Sequence, residues 1–168
     1  MRCTLTHVMR VTPATFWEHV FFDPAYNRAL YEALGFASMQ VISLDSPPDG
    51  AIRRELRAEP PLHVPAAIKR KLQGRIFYTE HGHFDVPGQA WKFRSVPSVI
   101  PDQVSIVGSL HLAPHPRGAL HAVELEARVS AWGFIGSLIE GVIERNSRES
   151  FATTVAFTDR WAEEKGLI

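Results

Sequence analysis

The sequence predicts an α+β fold, a curved antiparallel sheet of about seven strands with two short helices after the first strand and one long C-terminal helix. Three observations carry that prediction. Strand-like segments come in pairs joined by short turns, which makes neighbouring strands antiparallel. Helix-start signals occur twice, close together, after the first strand-like segment. The chain ends in a proline-free amphipathic segment, 134–165, which as a helix would extend about 45–50 Å at ~1.5 Å per residue.

Residues 2–11 read as the first strand, stopped by Thr12-Pro13. Thr12 can cap a helix whose first position is Pro13, where the missing N–H costs nothing. Phe16, Trp17, Val20 and Phe21 are its apolar residues. Asp23-Pro24 repeats the signal for a second helix with Tyr26, Leu30 and Leu34 on one side and Gly35 at its end. Strands 36–45 and 51–58 flank the turn Ser46-Pro47-Pro48-Asp49-Gly50. Strands 75–84 and 89–96 flank Asp85-Val86-Pro87-Gly88, and strands 103–113 and 119–130 flank Pro114-His115-Pro116-Arg117-Gly118. The last strand alternates most clearly, with Val123, Leu125, Ala127 and Val129 against Glu124, Glu126 and Arg128. Twist should curl such a sheet and leave a concave face for the long helix to close.

Composition narrows the function classes. The 168 residues suit one domain, 1–168, and contain 45% hydrophobic and 21% charged residues. Lys plus Arg equals Asp plus Glu at 18 each, so the basic excess of a nucleic-acid binder is missing. Cys3 is the sole cysteine, so neither an intramolecular disulfide nor a Cys-based zinc site can form. The opening MRCTLTHVMRV lacks a signal peptide's apolar stretch, and no run approaches the ~20 apolar residues of a membrane span. A soluble, cytoplasmic protein is expected.

The long helix is the most informative segment. Ile135, Leu138, Ile139, Val142 and Ile143 share one side with Phe157 and Trp161. Between those apolar ends, the same side carries Asn146, Ser150, Thr153 and Thr154. A helix on a solid core would keep Leu or Val there. Four small hydrogen-bonding residues instead suggest a space beneath the helix, with satisfaction of buried backbone as the plainer alternative. Facing it, the alternation selects Leu125, Ala127 and Val129, then Ile106 and Leu110, then Trp91 and Phe93. Strand 75–84 is ambiguous between Phe77 with Thr79 and Tyr78 with Glu80, and Phe77 is taken as the lining residue. Phe151 and Val155, on the back of the helix, would meet the short helices or a second copy of the chain. An aromatic and aliphatic lining with few polar groups is the usual character of a small-molecule pocket, though such residues more often form plain core.

Catalytic signals are weak. His81-x-His83 places two imidazoles on one side of a strand, but no third metal ligand stands at a convincing offset. His81, His83 or His111 could serve as general bases in a pocket, against the plainer reading of exposed strand histidines. No nucleophile elbow or phosphate-binding glycine loop occurs. Two segments could touch a membrane transiently: 62–72, where Leu62, Val64 and Ile68 adjoin Lys69, Arg70 and Lys71, and 97–101, where Val99-Ile100 lies between prolines.

The order of elements resembles the START-like superfamily, also called SRPBCC or Bet v 1-like. The opening T-P-A-T-F-W-E-H-V-F-F-D-P-A-Y at 12–26 looks like the start of bacterial START-like domains of unknown function. The tract Val129-Ser130-Ala131-Trp132-Gly133-Phe134-Ile135-Gly136-Ser137-Leu138-Ile139-Glu140 is similar to the entry into their last helix. Both regions also resemble the VASt domain, a sterol-binding branch. The resemblance implies a helix-grip fold that binds or transfers a lipid, sterol or polyketide-like molecule without a cofactor. Superfamily members that are cyclases, aromatases or hydratases keep an enzymatic reading open, and a protein-interaction module with a vestigial cavity is a third. No catalytic residue set is carried over.

Overall fold

The computed structural model describes residues 1–48, 50–61, 75–130 and 134–168. Strand β1 spans Arg2–Met9 and is followed by a single helical turn, α1 (Pro13–Thr15), that continues as a π turn over Phe16–Val20. Helix α2 is Pro24–Ala33. Six strands follow: β2 (Ser38–Asp45), β3 (Arg53–Glu59), β4 (Tyr78–Asp85), β5 (Ala90–Pro97), β6 (Val104–His115) and β7 (Gly118–Val129). Helix α3, Phe134–Glu164, closes the chain. The strands form one sheet in the order β1-β7-β6-β5-β4-β3-β2, every pair antiparallel.

The punctuation read from the sequence has the expected chemistry. Thr12 Oγ1 accepts from the Thr15 amide at 3.2 Å, and Asp23 Oδ1 accepts from the Ala25 amide at 2.7 Å. Gly35, at φ +75°, follows the end of α2 in the left-handed conformation that glycine adopts without penalty. The β6–β7 link is tighter than the Pro114–Gly118 turn expected from composition. His115 still pairs with Gly118, which leaves only Pro116 and Arg117 at the tip.

Helix α3 touches the rest of the molecule through two separate clusters. At its C-terminal half, Val155 and Ala162 are buried with Met9, Phe16, Val20 and Tyr26. Toward its N-terminal half, Ile143 and Phe151 pack on Cys3, Leu5 and Leu125. Glu140 fixes the entry into α3, accepting from the Val129 amide at 2.9 Å and from the Met1 ammonium at 2.7 Å. The apolar pair Phe151 and Val155 therefore lies on the buried flank of α3. The hydrophobic stripe shifts around the helix because its N-terminal half covers strands while its C-terminal half also meets α2 and the π turn at Phe16–Val20.

Candidate functional site

Along residues 139–154 of α3 the sheet and the helix separate and enclose a cavity of about 640 Å³ that is partly open to solvent. Every second residue of a strand faces it, as the pleat requires. Strand β5 contributes Phe93, β6 contributes Ile106 and Leu110, and β7 contributes Leu125. From α3 come Ile139 and Val142, then the polar group Asn146, Ser150, Thr153 and Thr154. Phe77 lines the cavity just before β4 begins, with the Arg57 guanidinium 4.6 Å from its ring centroid. The same wall carries Tyr78 and Glu80, so β4 turns its Tyr78–Glu80 side inward and Thr79 away.

Five expected lining residues lie elsewhere. Trp91 is buried in solid core, its ring seated over Gly82 where any Cβ would collide with it, and it meets Phe21 and Phe22 edge-on. Ala127 is fully buried opposite Ile106. Val129 stands where the chain leaves the sheet, paired with Val104. Leu138 faces solvent at 51% exposure, because the helix entry presents Ile139 to the cavity instead. Phe157 stacks with Trp161 and leans on Tyr26, beyond the end of the cavity. The histidines considered as bases also point away. His81 and His83 are exposed on the outer face, where His81 Nδ1 lies 3.4 Å from Glu55, and His111 Nε2 is 3.0 Å from Ser109 Oγ. Among the described residues no group of three or more His, Cys, Asp or Glu is placed to hold a metal ion. The 62–72 segment lies outside the described residues, whereas Val99 and Ile100 of the 97–101 loop turn onto the cavity wall.

Sequence reasoning missed the far wall and the deepest polar group. Leu30 and Tyr31 of α2 and Leu34 just past its end face the cavity, so the apolar side of that helix is partly lining. His121 of β7 is also on the wall and is 1% exposed. Extending the β7 alternation two steps back from Leu125 through Val123 would have placed it inward.

Polar groups meet the cavity in two contrasting settings. In one, the Glu80 carboxylate on the wall is paired with a guanidinium behind it, of which only Nε lacks a partner. Arg54 is buried over the faces of Phe21 and Trp91, with its centre 4.8 and 4.9 Å from the ring centroids. Its Nη2 reaches Glu80 Oε1 at 3.3 Å, and its Nη1 reaches Phe21 O and Asn27 Oδ1 at 3.4 Å. The Tyr31 and Tyr78 phenols lie close to this pair and to each other. Burial first, and the Glu80 carboxylate second, push the Tyr31 phenol up to about 12. The Tyr78 phenol is raised for the same primary reason, with Tyr31 as the next cause. In the other setting nothing is paired. Both ring nitrogens of His121 and the Oδ1 of Asn146 are buried with no protein partner. Burial lowers the His121 pKa to about 4, helped by the nearby His7, so the imidazole is neutral at pH 7.

A curled antiparallel sheet closed by one long helix, with a cavity between them, defines the Bet v 1-like helix-grip class. The chain belongs to the DUF2505 family, whose model, described as a protein of unknown function, matches residues 4–162. No curated protein matches the sequence. Among solved structures, the fold is similar to the Zhui aromatase/cyclase from Streptomyces sp. R1128, with TM-score 0.68, 11% identity, and 95% of this chain and 94% of that chain covered. It is also similar to TTHA0849 from Thermus thermophilus, with TM-score 0.66, 12% identity and 95% of each chain covered. A third likeness is Ara h 8.0201, with TM-score 0.61, 8% identity, and 94% and 96% covered.

Proposed function

We propose that the chain, acting over 1–168 as one domain, binds a hydrophobic small molecule of the lipid, sterol or polyketide-like class and carries or senses it without a cofactor. The observation that carries this reading is the volume of about 640 Å³ left between the sheet and α3, walled mostly by aliphatic and aromatic side chains. Pockets for small organic ligands span roughly 300–1,000 Å³ with the same apolar character and few polar points. The energetics agree. A dry void costs about 24 cal/mol per Å³ in engineered cores, so a cavity of this size left empty and dry would cost on the order of 15 kcal/mol. That equals the stability of a whole domain. A filled cavity avoids the cost, and an apolar ligand fills it best where the walls are apolar.

Residues Phe93, Ile106, Leu110, Leu125, Ile139 and Val142 would supply the apolar contacts, and Asn146, Ser150, Thr153 and Thr154 the polar ones. The 97–101 loop, with Val99 and Ile100 on the wall, would be the entry side, where transient membrane contact could deliver cargo.

A second reading is a polyketide cyclase-like enzyme, favoured by one observation: a neutral imidazole, His121, at the cavity wall. The likeness to an aromatase/cyclase is compatible with it. An interaction module with a vestigial cavity is the weakest reading, because the cavity retains ligand size. Native mass spectrometry of the purified protein, followed by organic extraction, tests the main reading. A bound species lost on extraction is expected; a bare chain that also fails to take up N-phenyl-1-naphthylamine would overturn it.

A further inference from the structure

Of the polar atoms on the cavity wall, those of His121 are the most costly to leave alone. The side chain is 1% exposed, yet neither ring nitrogen has a protein partner. A buried donor or acceptor without a partner loses the bond it made to water, and a neutral imidazole carries one of each. A phenylalanine would fill the same space without that cost. The contrast with the Arg54 group is direct: Arg54 holds Glu80 and Asn27 through its two terminal nitrogens, so Glu80, the member of that trio on the wall, has less left for a ligand.

The surroundings of His121 favour a ligand over a structural role. The Phe151 ring of α3 covers the imidazole at 5.0 Å between centroids, and Phe16 flanks it at 6.0 Å. Phe151 is only partly buried and itself lines the cavity. Its neighbours on α3, Ser147, Ser150 and Thr154, are small and line the same cavity, which is the space into which the ring can turn. Asn146 Oδ1, from the helix side of the same cavity, is the second unpaired acceptor.

We propose that His121 is the ligand-recognising hydrogen-bonding group of the cavity, accepting from a hydroxyl on an otherwise apolar, ring-containing molecule once Phe151 turns aside. The inference rests on the container reading above and adds the chemistry of the ligand: an apolar body with at least one hydroxyl donor, rather than a plain hydrocarbon. Asn146 is a second acceptor for a further donor on the same molecule.

The test compares naphthalene with 2-naphthol, which differ by one hydroxyl, as competitors of N-phenyl-1-naphthylamine. Wild type is expected to favour 2-naphthol by about tenfold, the equivalent of one buried hydrogen bond. His121→Phe should abolish that preference while still binding naphthalene. Equal affinities in wild type, or a preference retained in His121→Phe, would overturn the proposal. Should His121→Phe not fold, ¹⁵N spectra of the wild-type imidazoles decide, with the His121 ring assigned through its bonds to its own backbone amide. Its nitrogen signals must move with 2-naphthol and not with naphthalene; unmoved signals refute the role. Failure of naphthalene and the fluorescent probe to bind at all would instead remove the container reading, and this proposal with it.

Discussion

Tyr26 Oη lies 2.7 Å from Thr158 Oγ1 in the buried seam between α2 and α3. Thr158 donates its own proton to the Thr154 carbonyl at 2.7 Å, so Tyr26 is the donor of the pair. The bond joins the helix that lines one wall of the cavity to the helix that closes it. Burial pushes the Tyr26 phenol up to about 12, so the hydroxyl stays protonated in ordinary buffers.

Replacing Tyr26 by Phe should therefore cost about 1 kcal/mol of stability, the usual worth of a buried neutral hydrogen bond. Thr158→Val should cost more, because it strands the Tyr26 hydroxyl. In a double-mutant cycle by urea unfolding, a coupling near zero would show that the two helices are not joined there.

The Arg54–Glu80 pair gives a larger effect. Their side chains are 5% and 12% exposed, and the guanidinium also stacks on two rings. Arg54→Met should destabilise by about 3–5 kcal/mol because Glu80 is left buried and unpaired. Adding Glu80→Gln should recover a good part of that loss. Denaturant midpoints check both, and a single variant as stable as wild type would count against the buried pair.

His121 makes stability depend on pH in a predictable direction. Its folded pKa, about 4, is below the ordinary 6.5, so the folded state binds fewer protons than the unfolded chain between those values. The stabilisation from keeping His121 neutral is fully present above pH 6.5. It is lost as the pH falls through 4, a change of about 3 kcal/mol at most. Melting curves of wild type should fall more steeply between pH 7 and 4.5 than those of His121→Phe. Parallel curves would show that His121 does not carry the effect.

Ser150 sits on the cavity wall in the polar middle of α3. Ser150→Leu should raise the melting temperature by replacing missing packing contacts and weaken uptake of N-phenyl-1-naphthylamine at least tenfold. Thr153→Leu should do less, since Thr153 is exposed and its hydroxyl already bonds the Glu149 carbonyl at 3.1 Å. Destabilisation with unchanged uptake would indicate overpacking at a site that the ligand does not use.

Much of the fold was legible because its signals are local. Pro13 and Pro24 follow capping side chains, Gly35 ends a helix, and the alternation along β7 has a period of two whatever lies opposite. Phe93, Ile106, Leu110 and Leu125 were readable as inward-facing for that reason, and the polar residues of α3 marked the gap beneath it. What could not be read is where solid packing ends and empty space begins. Trp91 and Phe93 are equally apolar and on the same face of β5, yet α1 and its following turn cover one and not the other. Phe157 reads as lining from the stripe on α3, but Tyr26 of α2 packs against it and the cavity ends before it. His121 was passed over because a histidine on an apolar face breaks the pattern used to find lining residues.

The most direct measurement is a ¹H–¹⁵N spectrum of the chain titrated with N-phenyl-1-naphthylamine. If the ligand lies between the sheet and α3, the amides of Ile106, Leu125, Asn146 and Ser150 shift together and saturate at one equivalent. Shifts confined to the outer face, around His81 and His83, or no saturable shift at all, would contradict that placement.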